Sequence, residues 1–350
     1  MRPATSADFT GPRAINGRYS VYAALSSYRP HPALLELARK IHPLEGHETN
    51  PNYGMEKAAQ NYGTFVSTDN YFLGSMELGA RGVTPWENQI SQWKLVARGD
   101  GENYVFTSLN PFHDPHEGKS PYDQVAQDKS TLIQMTSVPD GAEGAIDRLQ
   151  EEISHRPSGD DRFHGRVVRE ARFWLPSQLV AAAKQGWFFI AANRTWVAVR
   201  PLLTGATLET PARGNEEKCV VSRGSITGFV VQVADQEKYP TLEEFQSAVT
   251  RSVDVDLSEV AKGHVRVKSL DGAQLDFTFS SSGTWPVFLV NGVAQPSNLS
   301  KVYDTPFVQQ EGGRLTVRDS SGAGFQWDFT GDWPYYTELQ GTGAHANQGK

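Results

Sequence analysis

Four times in this chain of 350 residues, two short runs of strand-forming residues flank a tight, turn-forming pair or triplet. The clearest case is Gly186–Pro201. Trp187 to Ile190 is a continuous aromatic and aliphatic run, Asn193–Arg194 is a polar turn, and Val197 and Val199 then alternate with Trp196, Ala198 and Arg200. Gly99-Asp100-Gly101 stands between Gln92–Arg98 and Asn103–Leu109, Asp271-Gly272 between His264–Leu270 and Ala273–Ser280, and Ser320-Ser321-Gly322 between Arg314–Asp319 and Gly324–Phe329. β-Branched and aromatic residues at period two, bounded by such turns, predict hairpins. A chain built of hairpins has to stack sheets to bury its apolar faces.

Further strands are expected at Thr64–Thr68, Tyr71–Leu78, Ser130–Val138 and Val167–Leu175. Helical segments are expected at residues 13–42, a short one within the polar stretch Asp140–Arg156, a turn at Gln178–Lys184, and Thr241–Val249, where Thr241 can cap and Glu243 and Glu244 suit the first turn. Residues 43–63 read as a polar loop. The hairpins follow no fixed period, which argues against a solenoid or propeller. The expected fold is therefore mainly β: a large antiparallel β-sandwich of two packed sheets preceded by a short helical segment. The expected division is a helical and loop segment over 1–60, the sandwich over 61–338 and a disordered tail over 339–350.

The formal net charge of −7 leaves no basic field to draw in nucleic acid or anionic lipid. No run approaches the roughly 20 apolar residues of a membrane span, and no signal peptide is visible in residues 1–30, so localisation is left open. The single cysteine, Cys219, excludes an internal disulfide and, beside Val220 and Val221, reads as a small core residue. The sequence has no P-loop, no Gly-x-Ser-x-Gly elbow and no Cys-x-x-Cys pair.

Three segments carry a family resemblance: Phe65–Ser75 (FVSTDNYFLGS), Ser120–Thr131 (SPYDQVAQDKST) and Gly186–Arg200. With Tyr239–Phe245 and Tyr303–Phe307, they resemble the C-terminal β-sandwich of heparinase II/III-like polysaccharide lyases, in which an (α/α) toroid precedes the sandwich. The resemblance covers residues 60–335, and residues 13–42 match at most the last helices of a toroid. It implies β-elimination on an acidic, uronate-containing polysaccharide or oligosaccharide, and a partner chain or second copy to supply the missing helices. The alternatives are a non-catalytic carbohydrate-binding sandwich that completes an enzyme with another chain, or a structural or assembly protein.

Such chemistry needs a group that neutralises the uronate carboxylate, a base for the C5 proton and an acid for the leaving oxygen. Candidates for proton transfer are Tyr53, Tyr62, His113 and His116; for holding substrate, His47, Asn50, Arg81, Trp86, Asn88 and Gln89. The bland readings stand beside these: solvated loop histidines and tyrosines packed at a junction. Trp285 and Trp333 adjoin prolines in expected loops and are candidates for stacking on sugar, whereas Trp187, Trp196 and Trp327 fall inside strand alternation and read as core. No cofactor is expected. His113-Asp114-Pro115-His116-Glu117 has two histidines three apart but no third ligand. Asp69, Asp100, Asp140, Asp160 and Asp161 fit a structural divalent cation no better than ordinary turns.

Overall fold

The computed structural model describes residues 31–33, 44–50, 61–77, 93–109, 122–140, 169–210, 217–281, 285–295 and 301–341, and the account below concerns these residues. The strands run β1 (Leu44–Asn50), β2 (Asn61–Ser67), β3 (Tyr71–Glu77), β4 (Trp93–Ala97), β5 (Tyr104–Leu109), β6 (Asp123–Asp128), β7 (Thr131–Ser137) and β8 (Glu170–Pro176). Then come β9 (Ala181–Lys184), β10 (Trp187–Ala192), β11 (Thr195–Pro201), β12 (Thr207–Glu209), β13 (Glu217–Arg223) and β14 (Ile226–Asp235). Helix α1 (Leu242–Ser252) follows, then β15 (Asp254–Asp256), β16 (His264–Lys268), β17 (Gln274–Thr278), β18 (Val287–Val290) and β19 (Val293–Gln295). The last strands are β20 (Lys301–Asp304), β21 (Val308–Glu311), β22 (Arg314–Arg318), β23 (Gly324–Asp328) and β24 (Tyr335–Leu339).

They form three antiparallel sheets. A long sheet of thirteen described strands has the order β12-β13-β8-β5-β4-β3-β2-β1-β20-β21-β22-β23-β24. The central sheet has the order β6-β7-β14-β11-β10-β9, and the third β15-β16-β17-β18-β19. All four expected hairpins are present, as β4–β5, β10–β11, β16–β17 and β22–β23. The turns of the first two dock on each other: the Asn193 amide donates to the Arg98 carbonyl (3.1 Å) and to the Asp100 carboxylate (3.2 Å).

Alternation along the central strands sends successive side chains into two cores. Leu132, Val197, Val199, Phe229 and Val231 meet Leu73, Leu95, Phe106, Phe173 and Val220 of the long sheet. Their neighbours Ile133, Met135, Trp196, Ala198 and Val230 point the other way, onto Phe245 and Val249 of α1 and onto Val265, Leu275, Phe277 and Phe288 of the third sheet. The expected sandwich of two packed sheets is thus present, with a third layer on the far side of the central one. Each large apolar side chain buried there contributes roughly 1.5–3 kcal/mol.

Buried glutamines tie the three layers. The Trp93 indole of the long sheet donates to Gln134 (2.6 Å), and Gln127 donates to the Leu73 carbonyl (3.3 Å). On the opposite face, Gln124 donates to the Ser280 carbonyl (2.9 Å) and accepts from its N–H (2.8 Å), while Gln232 accepts from the Leu270 N–H (3.3 Å). Gly228 in β14 has φ +145, and a Cβ there would lie 2.0 Å from the Gln134 carbonyl oxygen, so close pairing of β14 with β7 requires glycine.

Two local expectations are corrected. Ala181–Lys184 forms strand β9 rather than part of a helical turn. Its alanines favour helix in isolation, but Gln185 (φ 51) and Gly186 (φ 78) turn the chain back and β10 pairs with it, so tertiary pairing wins over a weak local preference. Within 43–63, Leu44–Asn50 is a strand of the long sheet, paired with β2 on one side and β20 on the other. It shows no apolar alternation, and it falls inside the 1–60 segment expected to be helix and loop. Helix α1 forms as expected, with the Thr241 hydroxyl accepting from the Glu244 N–H. Cys219 is fully buried. The expected helices of 13–30, 34–42 and 141–156 and the tail beyond 341 lie outside the described residues.

Asp123 begins β6 in the buried space between the long and central sheets, and the Thr136 hydroxyl donates to its carboxylate. Burial pushes this carboxyl up to about 8 from the ordinary 3.8, against the opposing effect of the Thr136 hydrogen bond. Between those two values the unfolded chain is ionised and the folded chain holds the proton. Stability therefore falls as pH rises from about 4 to about 8, then levels. Urea unfolding across this range is expected to show that slope, and Asp123→Asn to flatten it; an unchanged slope in the variant refutes the assignment.

Candidate ligand-binding face

The long sheet outruns the central one, and where it does, its inner face changes from apolar to polar. Directly opposed residues of antiparallel strands share a face. One such row starts at Ser75, opposite Trp93 of the core, and continues through Thr64, His47, Asp304, Gln309, Thr316, Gln326 and Thr337. It crosses eight strands, β3 to β24, and every side chain in it is polar. Ser75 and Thr64 are buried, His47, Asp304, Thr316 and Gln326 half-buried, and Gln309 and Thr337 exposed.

Contacts within the row fix its geometry. His47 Nδ1 lies 3.1 Å from the Thr64 hydroxyl, and its ring stacks on Tyr62 with centroids 5.3 Å apart and planes 16° apart. Tyr62 is buried and lies on the same face, opposite Thr49. Farther out, the Gln326 amide donates to the Thr316 hydroxyl (3.0 Å). Arg314 and Asp328 oppose each other on this face and are joined by a 2.8 Å ion pair. The Thr330 hydroxyl and N–H, then Arg314, hold the Asp328 carboxyl down at about 2, so it is an anion at every physiological pH.

The outer part of this face borders a cavity of about 410 Å³ lined by Gln309, Glu311, Arg314, Thr316 and Gln326, together with Gly312 and with Tyr303 and Gln310, which oppose each other one position off the row. Tyr335, opposite Asp328, stands at the far end of the same face and is 71% exposed. Hydroxyls, carboxamides and a guanidinium beside exposed phenol rings suit a ligand rich in hydroxyl groups, which needs many directional hydrogen bonds and an apolar surface for its C–H faces.

Of the residues singled out from sequence, the structure brings His47 and Tyr62 together. Asn50 ends β1 opposite Asn61. Trp333 is 85% exposed in the turn before β24. Trp285 precedes β18 of the third sheet, its indole N–H buried and without an acceptor among the described residues. No described contact joins Trp285 to the row. Tyr53, Arg81, Trp86, Asn88, Gln89, His113 and His116 lie outside the described residues. Trp187 and Trp196 are core and Trp327 packs partly buried, as expected. Among the described residues no three His, Cys, Asp or Glu side chains gather as a metal site. Sequence reasoning missed Gln309, Glu311, Arg314, Thr316 and Gln326. Their signal was the polar half of the alternation in β21–β23, which reads as an ordinary solvated face until its register with β1 is known.

No protein-family model matches the chain, and neither a curated protein nor a solved structure matches it.

Because the Thr316–Gln326 pair lies on an open face, Thr316→Val and Gln326→Leu are each expected to cost about 1 kcal/mol or less, read by urea unfolding. A loss several times larger would make the pair structural.

Proposed function

We propose that this protein binds carbohydrate on the inner face of the long sheet, at the cavity lined by Gln309, Arg314, Thr316 and Gln326. The observation that carries this reading is the chemistry of the cavity wall: amides and hydroxyls at successive register positions, with an aromatic ring on the wall. Hydrogen bonds of this kind contribute about 1 kcal/mol each, so useful affinity requires several at once, and the row supplies them side by side. A glycan array followed by calorimetry tests it. Binding of at least one saccharide class is expected, weakened about tenfold or more by the Thr316→Val, Gln326→Leu double variant. Absence of binding across the array removes the reading.

A second reading, β-elimination on a uronate polymer, is favoured by one specific observation, the stacked His47–Tyr62 pair at the inner end of the row. In that reaction a base removes the C5 proton, the C4–O bond breaks, and the departing oxygen takes a proton, leaving a C4–C5 double bond. A phenol beside an imidazole can relay those protons. Digestion of alginate, heparin-like and pectic substrates, followed by the ultraviolet absorbance of the unsaturated product, tests this. Activity abolished in Tyr62→Phe and His47→Ala supports it, and no product from any of the substrates overturns it.

A further inference from the structure

We infer that the edge strand β24 is a self-association surface, to which a second copy of this chain adds its own β24 antiparallel, about a two-fold axis at Thr337. The inference is independent of what the inner face binds.

The sheet edges are not alike. Among the described residues the three sheets end in β12 and β24, β6 and β9, and β15 and β19. An exposed edge offers its outward N–H and C=O groups to any other strand, and proteins blunt such edges by shortness, charge or cover. β12 has three residues, and its Glu209 is held at both oxygens by Arg223. β15 has three residues, two of them aspartates, and β19 has three. β9 ends on Lys184, and β6 is buried almost throughout. β24 has five residues, Tyr-Tyr-Thr-Glu-Leu, of which the first four are exposed. Its one charged residue, Glu338, is engaged within its own chain: the Tyr336 hydroxyl donates to it, and His31 Nε2 lies 3.2 Å away.

Exposed aromatic rings gather at the same edge. Phe329, Trp333, Tyr335 and Tyr336 all stand exposed on or just before the strand. Tyr336 is fixed in place by Trp327 and Phe325, with ring centroids 5.2 and 6.0 Å away. Such residues favour cross-strand contacts and are enriched at interfaces between chains.

The occupant follows from the strand's own pattern. A strand that meets a copy of itself across a two-fold axis is paired symmetrically about one residue. With Thr337 on the axis all five residues are paired: Thr337 with Thr337, Tyr336 with Glu338, and Tyr335 with Leu339. The Tyr336 phenol then faces a carboxylate, and the Tyr335 ring an aliphatic side chain. Moving the axis to Glu338 sets two carboxylates directly against each other. Moving it to Tyr336 sets Glu338 and Leu339 against Pro334 and Trp333, outside the strand. The charges on the strands behind raise no conflict: Asp328 is paired with Arg314, and Arg318 donates to the Gly322 carbonyl. The same axis brings the polar rows of the two copies end to end.

A five-residue edge with its flanking rings falls short of the roughly 1,200 Å² that stable complexes bury, so the dimer is expected to be weak, with a Kd of about 10–100 μM. Sedimentation velocity of the full chain, from about 1 to 300 μM, is expected to show the transition from monomer to dimer. Thr337→Lys and Thr337→Glu, which set like charges face to face on the axis, are each expected to weaken the dimer about fivefold, and an equimolar mixture of the two to associate again. Thr337 is exposed, so both variants are expected to keep the urea midpoint of the unaltered chain. Thr337→Cys is expected to cross-link to itself on mild oxidation, since directly opposed residues bring their Cα atoms to about 4.5–5.5 Å, within disulfide reach, whereas Tyr335→Cys, opposed to Leu339, is not. Cys219 is fully buried and does not compete. A chain that stays monomeric at every concentration overturns the inference and leaves the edge to an extended segment of another protein. A dimer that forms equally well in Thr337→Lys overturns it too, because its interface lies elsewhere.

Discussion

Strands β7, β11 and β14 bury both of their faces, so each needs a covering layer on either side. That requirement shapes the molecule. It explains why the apolar residues of Thr195–Pro201 and Ile226–Asp235 fall on both faces of their strands. It explains why the long sheet lies on one side and α1 with the third sheet on the other. It also explains the buried amides. A carboxamide taken out of water loses more than it gains unless its donors and acceptors are met. Gln124, Gln127, Gln134 and Gln232 each bond to a neighbouring layer, although Gln127 Oε1 and Gln232 Nε2 are buried without a partner among the described residues. Apolar packing alone would tolerate small shifts of one sheet over another; directional hydrogen bonds across both interfaces tolerate them far less.

The candidate site is a consequence of unequal sheet size. Six described strands of the central sheet cover only part of a thirteen-strand sheet. Beneath the central sheet the inner face of the long sheet is Leu73, Leu95, Phe106 and Phe173. At Ser75, Thr64 and His47 the same face turns polar, and from β20 outward its row is half-buried or exposed. Fold and site thus meet at one row of residues, its inner end anchored beside Trp93 in the core and its outer end on a meander. Each strand that carries the row is paired with a neighbour on both sides except at the edge strand β24, which fixes the spacing of its side chains.

Much of the fold is legible in the sequence for a plain reason: a hairpin is specified locally. Asp271-Gly272 and its flanking alternation lie within 17 residues, and the pairing of Val265 with Phe277 needs no information from elsewhere. The same holds for Thr241 as the cap of α1. β1 was not legible, because Leu44–Asn50 carries no alternation and becomes a strand only between β2 and β20, the latter more than 250 residues away in sequence. β9 was misread because alanine prefers helix when nothing pairs with it. On the candidate face, His47 and Tyr62 stood out in the sequence by their chemistry. It was not legible at Gln309, Thr316 and Gln326, since uncharged polar residues on a hairpin look the same whether they face bulk water or line a groove.

By itself, the sequence determined the four hairpins with their tight turns and the antiparallel, mainly β character, because period-two patterning and turn chemistry act over a few residues. Tertiary structure alone decided that the sandwich has a third layer, that β1 joins the C-terminal meander to the main sheet, and that a histidine from residue 47 stands in one line with a threonine from residue 337. Alternation states only which residues share a face of one strand. Which strands stand side by side, and in what register, is set by burial and hydrogen bonding over the whole chain, and the row exists only once that register is fixed.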